Sequence, residues 1–160
     1  VQNGFGAVLG PQDSWLLLRG IKTLRARMVI EQQAALLIAK WLQHQSWVTD
    51  VYYPGLPEHP GYKIHQTQAT GSGAVLSFKT DTPRRAIQIM QKVKLWSVAV
   101  SLGGVESILS YPVKMSHASI PPKERERLGI TDNLIRLSVG LEEAEDLMED
   151  LETGSRSLGL

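Results

Sequence analysis

The sequence contains no cysteine in its 160 residues. That excludes disulfides and thiolate metal sites and agrees with a reducing, cytoplasmic setting. No apolar run approaches the roughly 18 residues that a membrane span needs, so no membrane partner is expected. No lysine/arginine stripe runs along the chain: seventeen basic against sixteen acidic side chains leave a net charge of +1. Nucleic acid is therefore not an expected partner. The start carries no basic region followed by an apolar stretch, and no signal peptide is expected. Val1 is not an ordinary initiating residue, which suggests a processed product or a piece of something longer. There is no internal repeat and no low-complexity tract. What is present is 42% apolar and 21% charged residues, the composition of a soluble globular protein with one ordinary core.

Residues 1–10 are glycine-spaced and read as a loop. Pro11 to Ser14 then resemble a helix start, and strong helix formers continue from Trp15 to about Gln45, interrupted at Gly20. Ile21, Leu24, Met28, Ala35, Ile38 and Leu42 make one apolar stripe on that helix. Glu31 falls within the stripe and is expected as a surface carboxylate at its edge. Trp47–Tyr53, Ala74–Phe78, Leu95–Val100, Ser107–Tyr111 and the alternating Ile135, Leu137, Val139 read as strands. Tyr62–Ala69, Thr82–Val93 and a stretch within Ile120–Gly129 read as short helices. A last helix is expected from about Glu142, with Glu142, Glu143, Glu145 and Asp146 in its first turn, ending at Gly154. This order predicts a long helix followed by a small sheet covered by helices, an α/β or α+β sandwich.

His44, His59, His65 and His117 lack metal-pair spacing, so no metal is expected. Gly71-Ser72-Gly73 reads better as a turn before a strand than as a phosphate cradle. Ser101-Leu102-Gly103-Gly104 follows a short apolar strand. It is either a tight bend or a place where backbone N–H groups approach an anion. Arg136 sits between Ile135 and Leu137 and by alternation shares a face with Leu134 and Ser138. If buried, its guanidinium needs a partner. The readings are a salt bridge to a nearby acid, an exposed sheet face, or a clamp on the carboxylate of a ligand, for which arginine has matching bidentate geometry. No Ser/His/Asp or paired-carboxylate constellation stands out.

Five collinear segments carry a resemblance. They are Arg19-Gly20-Ile21-Lys22-Thr23-Leu24; Tyr53-Pro54-Gly55-Leu56 with His59-Pro60; and Gly71 to Phe78. The remaining two are Ser101-Leu102-Gly103-Gly104-Val105-Glu106-Ser107, and Gly129-Ile130 followed by Leu134 to Glu142. Together they resemble the Cys/Met-metabolism, trans-sulfuration family of pyridoxal-phosphate (PLP) enzymes, over nearly the whole chain. The resemblance implies the C-terminal part of a fold-type-I enzyme. That part has a long connecting helix and a small, mainly antiparallel sheet covered by helices. The implied division is residues 1–13 as a remnant of the cofactor-binding domain, 14–46 as the connecting helix region and 47–160 as the small domain. The implied activity is lysis or synthesis of cystathionine or related homoserine and cysteine derivatives. Arg136, with Ser101 and Leu102 beside it, is implied to hold the substrate's α-carboxylate.

The family holds its cofactor on a lysine in a Ser-x-Thr-Lys context. None of the eight lysines has that context, so no cofactor-binding or catalytic residue is assigned in this chain. The chain alone is expected to be inactive, with its own N-terminal PLP-binding domain as partner and a homotetramer as the complete assembly. Val100 stands where Glu or Tyr is often found, and Glu31 and Ala34 stand for a His and an Asn. The rival expectation is a non-catalytic α/β domain that binds partners or senses amino acids.

Overall fold

The computed structural model describes residues 8–156, with Gly4 and Gly6 before them. The glycine-spaced loop expected over 1–10 lies largely outside the described residues. The helical region opens with α1 (Pro11–Ile21) and α2 (Leu24–Gln43). Proline at the first helical position suits α1, because its missing N–H would be unpaired there anyway. The break falls at Lys22 and Thr23 rather than at Gly20, which stays helical. The Gly20 carbonyl accepts from the Thr23 N–H and Oγ1 at 3.3 Å each and from Arg27 Nη2 at 3.1 Å. These three donors close the turn, and α2 starts at Leu24.

Beyond them follow β1 (Val48–Tyr52), α3 (Tyr62–Gln68), β2 (Val75–Thr80), α4 (Pro83–Lys92), β3 (Ser97–Val98) and β4 (Ile108–Ser110). A 3-10 turn at Pro112–Lys114 precedes α5 (Pro122–Arg127), β5 (Leu134–Ser138) and α6 (Ala144–Ser155). The strands form one five-stranded sheet in the order β1-β2-β5-β4-β3. Every pairing is antiparallel except β3 with β4. The last strand among the described residues is thus the centre of the sheet. The mixed, mainly antiparallel α/β architecture agrees with the expected fold.

Pleating sorts β5 into two faces. Ile135 opposes Phe78, and Leu137 opposes both Leu76 and Leu109. All five side chains are buried together with Ile38 and Leu42 of α2, Ile89 of α4, and Leu147 and Leu151 of α6. Burying each such side chain contributes about 1.5–3 kcal/mol, so this one-sided helical cover is what holds the sheet. The opposite face carries a row across three strands, Ser77, Arg136 and Ser110.

Three expectations need correction. Glu31 is not a surface carboxylate: it is 3% exposed, because α2 turns the stripe from Glu31 to Leu42 into the core. Leu95–Val100 contributes only two strand residues. Two parallel strands normally need a crossover of a dozen or more residues, and only residues 99–107 link β3 to β4. Residues 94–96 are instead tied to α6, where the Asp150 carboxylate accepts their three backbone N–H groups at 2.8–3.2 Å. Finally, α6 starts at Ala144 with Glu145 and Asp146 in its first turn, and Gly154 lies inside it. Glu142 lies before the helix and is used elsewhere.

Candidate functional site

Arg136 lies at the middle of the central strand. Its Nη2 donates to the carbonyls of Val100 and Ser101 at 3.2 and 3.0 Å. Its Nε is buried and has no partner among the described residues. No acid pairs with it among the described residues, whose ion pairs are Arg85 with Asp81, Arg127 with Glu124 and Arg156 with Glu152. Of the readings open in the sequence, the internal salt bridge is therefore not made among the described residues. A guanidinium anchored on one nitrogen by two carbonyls, and paired with no acid among the described residues, is a fixed cationic donor suited to an anion.

The 99–107 segment lies alongside β5 and its continuation. Gly103 N–H donates to Ser138 Oγ at 2.8 Å. Leu141 N–H donates to the Val105 carbonyl at 2.8 Å. Ser107 donates from its N–H to Glu142 Oε1 at 2.9 Å and from its hydroxyl to Oε2 at 2.7 Å. Its Oγ accepts from Gly140 N–H at 2.8 Å. Residues 101, 103, 105 and 107 are thus each tied to the stretch 136–142, an irregular counterpart of a strand ladder. Gly103 has φ +77°, a conformation that glycine adopts at no steric cost. Its N–H is engaged by Ser138, so it is not an anion donor as one reading of the glycine pair would have it. Gly140 has a different constraint: a Cβ there would run into the Val105 carbonyl oxygen.

Sequence reasoning placed Arg136 and Ser101 in one site, and their hydrogen bond brings them together. Leu102 is exposed beside them, as are Val98, Val100 and Val105. Ser107, Ser138, Gly140 and Glu142 build the site's frame, and none of them was read from the sequence as a site residue. Their partners lie more than thirty residues away, so no local pattern marks them. The one available signal is that both motifs occur in the same chain.

The remaining candidates serve local structure. His44 Nδ1–H donates to the Lys40 carbonyl at 2.7 Å, and His65 Nε2–H to the Gly71 carbonyl at 2.9 Å. His59 accepts from the Gly61 N–H, and His117 bonds Ser116 Oγ. Among the described residues no group of three or more His, Cys, Asp or Glu is arranged to hold a metal. No described helix is long and apolar enough to cross a membrane. None of the eight lysines is buried; Lys79 lies over the Tyr52 ring and Lys92 donates to the Arg156 carbonyl. The dry pocket that makes a lysine nucleophilic is not offered by any of them.

A family model described as "Cys/Met metabolism PLP-dependent enzyme" matches residues 1–156. The chain is 52% identical over 158 residues to cystathionine beta-lyase MetC of Bacillus subtilis (strain 168), covering 99% of this chain and 40% of that protein. It is 52% identical over 151 residues to the cystathionine gamma-lyase of the same organism, covering 94% and 40% respectively. Among solved structures, cystathionine gamma-lyase from Lactobacillus plantarum complexed with L-serine superposes with a TM-score of 0.88 at 42% identity. That match covers 96% of this chain and 40% of the other. The chain therefore spans about two fifths of the length of the relatives it matches.

Proposed function

The chain belongs to the Cys/Met metabolism PLP-dependent enzyme family, and from that premise we propose that it is the substrate-carboxylate-binding part of a cystathionine lyase. The observation that carries the proposal is the Arg136 guanidinium, anchored through Nη2 by the Val100 and Ser101 carbonyls and met by no acid among the described residues. An amino-acid α-carboxylate presents two oxygens to such a donor edge, and the two rigid carbonyls set the angle at which it is met. Arg136 thus binds and orients, with Ser101 and Leu102 forming the adjacent wall. The substrate is cystathionine or a related homoserine or cysteine derivative. The lyases among the relatives favour cleavage over synthesis.

The family is PLP-dependent, and that cofactor supplies the electron sink when bound. The residues of this chain do not fit the cofactor itself, since none of the lysines is buried. The cofactor lysine therefore belongs to the N-terminal part, and this chain alone is inactive. Helix α1 supports that partner. Trp15, Leu16, Leu17, Leu18 and Ile21 are all 48–62% exposed, and no residue of α1 is buried. An apolar helix left bare in this way calls for a covering surface, which counts against a stand-alone sensing domain. The division at residues 13 and 46, a homotetrameric assembly and a cytoplasmic location complete the proposal.

The test is Arg136→Ala in the complete enzyme. Losing one partner of a charged, hydrogen-bonded pair costs about 2–5 kcal/mol. The expected loss is therefore roughly 30-fold or more in kcat/KM, mainly through KM, with Arg136→Lys recovering part of it. Unchanged KM and kcat would remove Arg136 from the site. Incubation of this chain alone with PLP and borohydride is expected to label no single lysine; a unique labelled lysine would overturn its assignment as the part without the cofactor anchor.

A further inference from the structure

Arg136 depends on two backbone carbonyls for its orientation, and those carbonyls belong to a segment with no regular structure of its own. Residues 99–107 include two adjacent glycines, Gly103 and Gly104, so their backbone does not hold its course unaided. What holds it is a set of bonds to residues 136–142, and the far end of that set is the strongest. The Glu142 carboxylate accepts both donors of Ser107, at 2.9 and 2.7 Å. Hydrogen bonds to an ionised carboxylate are shorter and roughly twice as strong as neutral ones. Ser107 is fully buried, and its Oγ also accepts the Gly140 N–H at 2.8 Å. With Glu142 present, the N–H, O–H and Oγ of Ser107 all have partners. Without it, a buried N–H and O–H lose their acceptors together.

We infer that Glu142, acting through Ser107, is a positioning residue for substrate binding. It fixes the 101–107 segment against β5, and so keeps the Val100 and Ser101 carbonyls where they hold the Arg136 guanidinium. The inference rests on Arg136 being the carboxylate-binding residue. It assigns to Glu142 no contact with substrate and no proton transfer. Its position just before α6 fits this role, since the helix starts at Ala144 with its own acids, Glu145 and Asp146, in the first turn.

The test uses the complete PLP-loaded enzyme with L-cystathionine, and compares Glu142→Ala, Glu142→Gln, Ser107→Ala and Arg136→Ala. Two quantities are read: the split between KM and kcat, and hydrogen exchange by mass spectrometry over residues 100–107. Displaced supporting groups of this kind lower affinity by about tenfold or more. Glu142→Ala is expected to raise KM on that scale while leaving kcat within about threefold, and to speed exchange over 100–107. Glu142→Gln keeps an acceptor for the Ser107 N–H and is expected to recover most of the KM and the protection. If Arg136→Ala raises KM while Glu142→Ala and Ser107→Ala leave it unchanged, the positioning role is wrong and the Arg136 reading stands. If Arg136→Ala leaves KM unchanged, both fall. Should Glu142→Ala fail to fold, Ser107→Ala decides: faster exchange over 100–107 with unaltered KM overturns the inference.

Discussion

Replacing Gly140 by alanine adds one carbon where two backbone segments already touch. The new Cβ would lie 2.6 Å from the Glu106 carbonyl carbon, whereas ordinary contact begins at 3.4 Å. The neighbour is backbone, so no rotamer change relieves the clash, and the backbone at Val105 and Glu106 must recede by at least about 0.8 Å. That movement stretches the 2.8 Å bonds from Gly140 N–H to Ser107 and from Leu141 N–H to Val105 toward 3.6 Å, where an N–H···O contact is no longer a hydrogen bond. One buried donor left unmet costs about 1–3 kcal/mol, and overpacking costs about 1–3 kcal/mol more. The expected loss is about 2–6 kcal/mol, read from the urea midpoint at constant slope. A loss no greater than about 0.5 kcal/mol, the scatter of ordinary surface changes, would refute the account of Gly140 as a point of close approach.

Glu31 supplies a pH-dependent prediction. Burial raises its pKa above the usual 4.5, with nearby Arg27 pulling the other way. The folded chain then binds the proton more tightly than the unfolded one, so stability falls as pH rises from about 4.5 through the raised folded value. Glu31→Gln is expected to raise the melting temperature at pH 7, and the gain is expected to shrink toward zero below pH 4.5; an equal gain at both pH values would refute it. Tyr53 is held by a 2.8 Å bond from its hydroxyl to the Gly73 carbonyl, and burial pushes its pKa up to about 12. Its contribution is therefore full below pH 10 and lost as pH rises through about 12. Tyr53→Phe is expected to cost about 1–3 kcal/mol, and one tyrosine fewer should titrate late in the ultraviolet absorbance; an unchanged late titration would assign the shift to another residue.

Where packing follows local pattern, the sequence was readable. The alternation of Ile135, Leu137 and Val139 gave β5 its buried face and put Arg136 on the other. The helix read over Thr82–Val93 is α4, and of the three residues able to cap it (Thr80, Asp81 and Thr82) it is Thr82 whose Oγ1 accepts from Arg85 N–H, at 3.3 Å. The failures share a cause: partners remote in sequence. The acids from Glu142 to Asp146 look alike as a helix-dipole cluster, yet Glu142 is captured by Ser107, thirty-five residues earlier. Leu95 to Trp96 has strand composition, but Asp150 claims its amides. Glu31 looked polar enough for the surface and is carried inward by the helix that bears it. For the site, arginine's place in the alternation was legible, and the family motifs added Ser101. The bonds that join the two motifs were not, because nothing in either motif alone names its partner.

The strand order has a consequence for how the protein is made. β5 is the last strand among the described residues and the centre of the sheet, so β1-β2 and β3-β4 are two separate pieces until residues 134–138 insert between them. Pairings of such long range form slowly and leave open edges exposed meanwhile. A chain released from the ribosome before Leu134 would have no half-built site to offer, only two unjoined ribbons with unpaired amides. Arg136 travels on the strand that closes the sheet, so no population of molecules can present the guanidinium in place while the sheet is still unassembled.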